Sequence, residues 1–343
     1  MKPCLTGWRK VANTSDMHRR LFLSRFATLP MLALPVTAGL MLPGCSATGP
    51  LALGLHPWPG YESLHLAETF GWLPPAVSLV NTRNATETQA GLKAGTLDAG
   101  CLTLDEVLLL RAGGLPLTVI AVLNESVGAD VVLARPEIGR LADLAGKRIA
   151  VEKSAVGGVM LIKLLQAAGL TSTALTVVDL LPDQQPAAWQ ANEIDAAICY
   201  EPVASRLEKL GGVRLFDSRQ LPGIIFDVLA VRRDRIDGRR QTLKGLVAAH
   251  FRAVDHLSRS REDAFRRIGA WRQQSFAEVT KSFAGIALPN AAGNRRMLSA
   301  GNALERAARD LADIMRAGGL LPATPDSGVA DLVDAAFLPE LPA

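Results

Sequence analysis

The sequence predicts an α/β protein of two similar lobes, on three observations. Strand-like and helix-like segments alternate along most of the chain, the pattern of a mainly parallel sheet covered by helices. One element occurs twice, as Ala94-Gly95-Thr96-Leu97-Asp98-Ala99-Gly100 and as Ala191-Asn192-Glu193-Ile194-Asp195-Ala196-Ala197. Each copy closes a polar segment with a tight turn and enters a short apolar run, Cys101-Leu102 or Ile198-Cys199. Finally, about 299 residues run from Cys45 to the last position, long for one core and natural for two. Two facing lobes make a cleft, where small ligands are most often held. Gly or Asn before a strand is also ordinary turn chemistry, so the repeat alone is a weak motif.

Residues 1–44 read as an export signal outside the fold. Arg19-Arg20 precede an apolar stretch from Leu21 to Leu42, interrupted by Arg25, Pro30, Pro35 and Gly39 and ending at Leu42-Pro43-Gly44-Cys45. A basic region, an apolar region and a small residue before the cut define a secretory leader. Met17 stands at the usual distance for a start, which would leave residues 1–16 as an upstream extension. Setting the leader aside changes the charge balance. Lys2, Arg9, Lys10, Arg19, Arg20 and Arg25 precede Cys45 against Asp16 alone, so of 37 basic and 33 acidic residues, 31 and 32 follow it. The alkaline pI of 9.0 therefore belongs to the leader, and no nucleic-acid partner is expected.

After the leader, Leu51–Leu55 reads as a buried strand, followed by the loop His56-Pro57-Trp58-Pro59-Gly60-Tyr61-Glu62 and a helix from Ser63 that stops near Gly71. The series continues with a strand at 77–80, a helix near 85–94, a strand at 99–102, a helix from Leu104 and a strand at 117–123. Ala129–Ala134 is extended and apolar, after which Leu141–Val151 opens a second series: a helix at 156–168, a strand at 175–179, a helix near 184–191 and a strand at 196–199. A second extended run, Ile224–Val231, closes it. The two extended runs read as crossings between lobes. This gives a discontinuous first lobe, residues 45–128 and 232–343, and a second lobe at 129–231. Beyond Asp234 the pattern is helical, with Leu243, Leu246, Val247, Phe251 and Val254 in one stripe. Cys101 and Cys199 fall on corresponding strands of different lobes, where a bridge would lock the lobes together; buried free thiols are expected.

The ordered set Trp58-Pro59-Gly60-Tyr61-Glu62, Leu102-Thr103-Leu104-Asp105-Glu106, Gly128-Ala129-Asp130, Asp143-Leu144-x-Gly146-Lys147, Glu201-Pro202-Val203 and Phe226-Asp227-Val228-Leu229 resembles the solute-binding proteins of bacterial ABC importers, in the nitrate, sulfonate, taurine and thiamine-pyrimidine-precursor group. The resemblance spans nearly the whole chain after the leader. It implies the type II periplasmic binding protein fold, with two crossover strands and a ligand cleft between the lobes. It further implies capture of a small molecule by lobe closure and delivery to permease and ATPase subunits, with no cofactor and a monomeric state expected. Leu42-Pro43-Gly44-Cys45 resembles the lipobox, implying lipidation of Cys45, with Pro43 an unusual middle residue. Arg19-Arg20-Leu21-Phe22-Leu23 resembles the twin-arginine signal. Two or three acyl chains, each buried CH₂ adding about 0.8 kcal/mol, would hold the protein at the periplasmic face of a membrane.

Ligands of open α/β sheets sit beyond the carboxyl ends of the strands. The loops there nominate Trp58, Gly60, Tyr61, Glu62, Thr103, Asp105, Asp130, Ser154, Tyr200, Glu201 and Asp227 as ligand-binding residues. The chain has two tyrosines, one in each lobe and each followed by glutamate, and two aromatic faces across a cleft would suit a flat or cationic ligand. Each candidate also has a structural role open to it. Thr103 and Glu106 fit a capping box, Glu201 before Pro202 fits a helix cap, and Gly157-Gly158 fits close helix packing or free N–H groups for an anion. The loops carry Glu62, Asp105, Glu106, Asp130, Glu152, Glu201 and Asp227 against Lys153, Arg83 and His56. Burying an anion beside several carboxylates would cost several kcal/mol, against about 8 kcal/mol for an entire micromolar affinity. An amine or aminopyrimidine is therefore the expected ligand, with sulfonate, taurine or nitrate as the alternative. A sensor adaptor would use the same closure. An enzyme like the pyrimidine synthases is disfavoured, because the cysteines are isolated and the five histidines show no metal spacing.

Overall fold

The structure, a computed structural model, describes residues 49–299, 303–323 and 328–340. The leader, the twin-arginine pair, Met17 and Cys45 lie outside the described residues. In chain order the first series is β1 (Leu51–Leu55), α1 (Glu62–Thr69), β2 (Val77–Asn81), α2 (Ala85–Ala94), β3 (Ala99–Thr103), α3 (Leu104–Ala112) and β4 (Leu117–Ser126). The second is β5 (Val131–Ala134), β6 (Arg148–Val151), α4 (Val156–Ala168), β7 (Thr176–Asp179), α5 (Gln185–Gln190), β8 (Ala196–Cys199), α6 (Val203–Lys209) and β9 (Val213–Asp217). Then follow β10 (Phe226–Arg232), α7 (Arg240–Arg259), α8 (Arg261–Arg272), α9 (Phe276–Ser282), β11 (Ile286–Ala287), α10 (Ala291–Leu298) and α11 (Ala303–Ala317). No helix among the described residues is long and apolar enough to cross a membrane.

The strands form two sheets, ordered β11-β4-β10-β3-β1-β2 and β7-β6-β8-β5-β9. Apart from β11 they share one plan. Three parallel strands, β2-β1-β3 or β7-β6-β8, are followed by one antiparallel strand, β10 or β5, and an outer strand, β4 or β9. The runs read from sequence as crossings are absorbed into the sheets they enter: β5 pairs with β8 and β9, and β10 with β3 and β4. The boundary expected at residue 231 thus falls at the end of a strand bonded within the first sheet, and the second sheet ends at Asp217. The connections left between sheets are short and lie side by side. Ser126 and Ser218 place their hydroxyls 2.8 Å apart, Gly128 N donates to Ser218 Oγ at 2.6 Å, and Ser218 N donates to Asp130 O at 2.9 Å.

The repeated sequence element has a physical cause. Gly95 and Asn192 both take left-handed backbone, at φ 73° and 56°, which Gly adopts freely and Asn tolerates. Leu97 and Ile194 are buried next to them. Asp98 Oδ2 then accepts from Ala52 N at 2.9 Å, and Asp195 Oδ2 from Arg148 N at 2.8 Å. Each aspartate thereby satisfies a backbone donor at the start of β1 or β6, equivalent strands of the two sheets, a group that is costly to bury unpaired. The predicted stripe of α7 is buried in the first lobe, and Cys101 and Cys199 are free and buried on β3 and β8.

Candidate functional site

Strand register shows which residues of the two lobes correspond. Leu53 pairs with Ala99 in one sheet and Ile149 with Ala196 in the other, while Leu102 pairs with Val228 and Cys199 with Val131. His56 therefore corresponds to Glu152, Thr103 to Tyr200, and Asp227 to Asp130. All six stand at strand ends turned toward the cleft, as strand-end geometry requires. A cavity of about 10 Å³ lies there, lined by His56, Trp58, Thr103, Glu106 and Asp227 from the first lobe and by Asp130, Val156 and Tyr200 from the second. That is space on the order of one water molecule; the lobes are closed.

Aromatic rings form one wall. Trp58 meets Tyr200 edge to face at 5.5 Å, and His56 lies 5.2 Å from Tyr61 and 6.0 Å from Tyr200. Trp58 Nε1 donates to Asn124 Oδ1 at 3.3 Å. Gly60 makes this packing possible: a Cβ there would overlap the Asn124 amide and stand 2.5 Å from the indole nitrogen. The two tyrosines do not face each other as a sandwich, because Tyr61 lies deeper and its hydroxyl donates to Asp227 Oδ1 at 2.5 Å.

Carboxyls form the other wall: Glu106, Asp130 and Asp227 line the cavity, and Asp105 and Glu152 are buried beside them. Asp105, Glu106, Asp130, Glu152 and Asp227 are each no more than 4% exposed, and none takes part in an ion pair. Burial is the main cause that pushes Asp105 up to about 7 and Asp130 up to about 6, and it raises Glu152 and, well above the usual carboxylate range, Glu106 and Asp227. Mutual repulsion acts in the same direction, from Asp130 and Glu152 on Asp105 and from Asp130 and Asp105 on Asp227. His56 is lowered to about 4 by burial and stays neutral at pH 7. Asp105 Oδ2, Glu152 Oε2 and Asn124 Nδ2 are buried without a hydrogen-bond partner, an expensive arrangement for groups of this polarity. The capping role of Glu106 coexists with its place in the wall, since it accepts from Thr103 N at 3.0 Å.

The remaining candidates go elsewhere. Glu62 binds Arg272 Nε at 2.6 Å and Trp271 Nε1 at 2.8 Å. Glu201 caps α6 by accepting from Ser205 N and Oγ at 3.2 and 2.8 Å. Both line a larger cavity of about 440 Å³ at the cleft mouth, with Trp58 common to the two cavities. Ser154 is exposed, its hydroxyl 2.7 Å from Thr86 Oγ1 and its carbonyl accepting from Gln89 Nε2 at 2.8 Å across the lobes. Gly157 and Gly158 let α4 approach its own strand and Leu320, where added Cβ atoms would stand 2.8 and 3.0 Å from neighbours. His56 and Asn124 were absent from the sequence candidates. For His56 a signal existed, its place directly after the first strand. Among the described residues, no group of His, Cys, Asp and Glu is arranged to hold a metal.

Two lobes of one topology, joined by paired connections around a buried cleft, are the periplasmic binding protein fold. The sequence profile of the NMT1-like family matches residues 46–271, and the chain belongs to that family. It is 28% identical over 156 residues to the taurine-binding periplasmic protein of Escherichia coli, a match covering 45% of this chain and 48% of that one. The chain spans about half the length of the curated relatives it matches. Among solved structures, the alkanesulfonate-binding protein SsuA from Xanthomonas axonopodis pv. citri, bound to MOPS, superposes with a TM-score of 0.69 at 22% identity over 84% of this chain and 99% of that one. The nitrate-binding protein NrtA from Synechocystis PCC 6803 gives 0.71 at 14% identity over 85% and 87%. At these identities the structural likenesses show the fold.

Proposed function

We propose that the protein is the solute-binding component of an ABC importer and closes its lobes around a small ligand carrying a cationic or hydrogen-bond-donating nitrogen. One observation carries the choice of ligand: five buried carboxyls gather at the cleft without a cationic side chain among them. A protonated amine or an aminopyrimidine supplies the missing positive charge and the N–H donors, and Trp58 and Tyr200 supply faces that attract a cation. The taurine-binding relative fits a variant of this reading, because taurine carries an ammonium as well as a sulfonate. Nitrate and simple sulfonates, which carry no cationic nitrogen, fit the acidic wall poorly. Lipidation at Cys45 and docking of the closed form on a permease complete the proposal, and Cys45→Ser is expected to release the protein from the membrane fraction.

Paired probes differing only at nitrogen test the ligand class. Calorimetric titration and thermal shift would compare ethanolamine with ethylene glycol, taurine with isethionate, and 4-aminopyrimidine with pyrimidine, beside ethanesulfonate and nitrate. A probe at 100 times its dissociation constant stabilises by about 2.7 kcal/mol, so binding is visible in the melting temperature. Preference for the amine of each pair is expected. Equal binding of taurine and isethionate, or binding of nitrate alone, would refute it.

A further inference from the structure

Glu152 is the acid of the cluster whose side chain takes two hydrogen bonds from one residue of the opposite lobe. Its Oε1 accepts from both Thr86 N at 3.1 Å and Thr86 Oγ1 at 2.5 Å, at the start of α2. These are bonds from the first lobe to the loop after β6 of the second, and the neighbouring Ser154 adds two more, with Thr86 and Gln89. Its other oxygen, Oε2, is fully buried and unpartnered, and the residue is 3% exposed. The groups acting on it are of one sign. Asp105 and Glu106 of the first lobe are raised by its charge, and it is itself raised by Asp183 and Asp179 beside it. Fastening the lobes through Thr86 therefore carries a carboxylate of one lobe against two carboxyls of the other, with an oxygen left unsatisfied.

We infer that Glu152 is a specificity-determining latch: Oε2 takes an N–H of the ligand's cationic nitrogen while Oε1 fastens the lobes through Thr86. Closure is then favourable only when a cation offsets the repulsion between Glu152 of one lobe and Asp105 and Glu106 of the other. A neutral isostere of the same shape leaves the repulsion in place, so discrimination arises in the closing step as well as in the contact itself. This rests on the cationic-ligand reading above, and it assigns to one residue the coupling between ligand charge and closure.

Two substitutions separate the two oxygens. Glu152→Gln removes the charge, yet its amide oxygen still accepts both Thr86 bonds; Thr86→Ala removes the hydroxyl bonds to Glu152 and Ser154, keeps the backbone N–H bond, and so weakens the fastening while leaving the charge. Taurine and isethionate are titrated into the whole protein and both variants by calorimetry, with melting curves to establish folding. Lobe separation is read by a distance label pair at exposed Lys93 and Gln166. The expected result is that Glu152→Gln reduces the preference for taurine over isethionate at least tenfold and closes more readily without ligand. Thr86→Ala is expected to weaken both probes by a similar factor, about threefold, and to keep the preference. An unchanged preference in Glu152→Gln, or an equal loss of preference in the two variants, overturns the latch. A wild-type protein that does not prefer taurine overturns the cationic-ligand reading and the latch with it. Should Glu152→Gln fail to fold, Glu152→Met is read instead, with the same loss of preference required.

Discussion

The two lobes repeat one plan, and their strand ends differ in what they present. Asp98 and Asp195 do the same work in each, accepting a backbone N–H from the equivalent strands β1 and β6, and Asp130 and Asp227 are the same residue at equivalent places at the start of an antiparallel strand, β5 or β10. The positions one step past β1 and β6 differ, with neutral His56 against Glu152, and the last residue of β3, Thr103, stands against Tyr200 just after β8. Residues that hold the strands are alike in the two lobes, and so is the Asp130–Asp227 pair in the cleft, while the other two pairs of cleft positions differ. A site of this kind has two sides of unequal chemistry and fixes a ligand in one orientation.

The largest expected effect breaks the repeated aspartates apart. Asp98 is nearly buried and also binds Arg239 at 2.8 Å, a pair with only 10% and 12% of the side chains exposed. Asp195 binds Arg148 at 2.8 Å with 41% and 21% exposed. Removing one partner of a buried pair leaves the other charge uncompensated, at about 3–5 kcal/mol, whereas an exposed pair contributes about 1 kcal/mol or less. Asp98→Ala is expected to lose about 3 kcal/mol or more in denaturant unfolding and Asp195→Ala about 1–2 kcal/mol, part of it the lost backbone bond. Equal losses would mean that the two copies are equivalent in energy as well as in geometry.

A second test uses the position where the first lobe has Asp105 and the second has Pro202. A carboxyl whose folded pKa is raised binds its proton more tightly in the folded state. Its contribution to stability is full below the unfolded value near 3.8 and is lost as pH rises through the folded value, about 7 for Asp105 and about 6 for Asp130. The ligand-free protein should therefore lose stability between pH 5 and pH 8, on the order of 2 kcal/mol from Asp105 alone. Asp105→Asn is expected to remove the Asp105 share of that slope and to leave the shares of Asp130, Glu106 and Asp227. An amine bound at pH 8 should restore stability, and at pH 6 to 7 it should displace up to about one proton, read by calorimetry in buffers of different ionisation enthalpy. A flat pH profile in the wild type would show that the acids are not held at these values.

How much of this could be read from the sequence depended on whether the cause was local. The helix limits 85–94 and 156–168 were legible because they end in left-handed glycines, Gly95 and Gly169, and because Asn84 caps the first by accepting from Glu87 N. No alternation in the sequence marks the strand Val213–Asp217; pairing with β5 defines it. The same contrast holds in the cleft. Trp58, Thr103, Asp130, Tyr200 and Asp227 converge because strand ends point there. The direction taken by Glu62 depends on Arg272, 210 residues later, and that of Tyr61 on Asp227. No local pattern carries such information.

The aromatic wall gives an intermediate effect. Trp58 and Tyr200 come from different lobes and meet edge to face across the cleft. Trp58→Ala and Tyr200→Ala should each weaken binding of the best amine probe by about 1–3 kcal/mol. The pair should be non-additive, because each ring is part of the other's surroundings. Additive losses would place the ligand between the rings rather than against one face of their contact.

The smallest expected effect sits beside Tyr200. Glu201 was a cleft candidate on its sequence position, yet both of its oxygens are engaged by Ser205 at the start of α6, and it lines the outer cavity instead of the buried one. A glutamine there keeps one acceptor for Ser205 and removes a charge that faces no acid of the inner wall. Glu201→Gln should change stability by less than about 0.5 kcal/mol and the affinity for taurine by less than about twofold, against the large loss expected at Glu152. If Glu201→Gln instead matched Glu152→Gln, the ligand would extend past Trp58 into the 440 Å³ cavity, and the site would be defined by the mouth of the cleft as much as by its acidic wall.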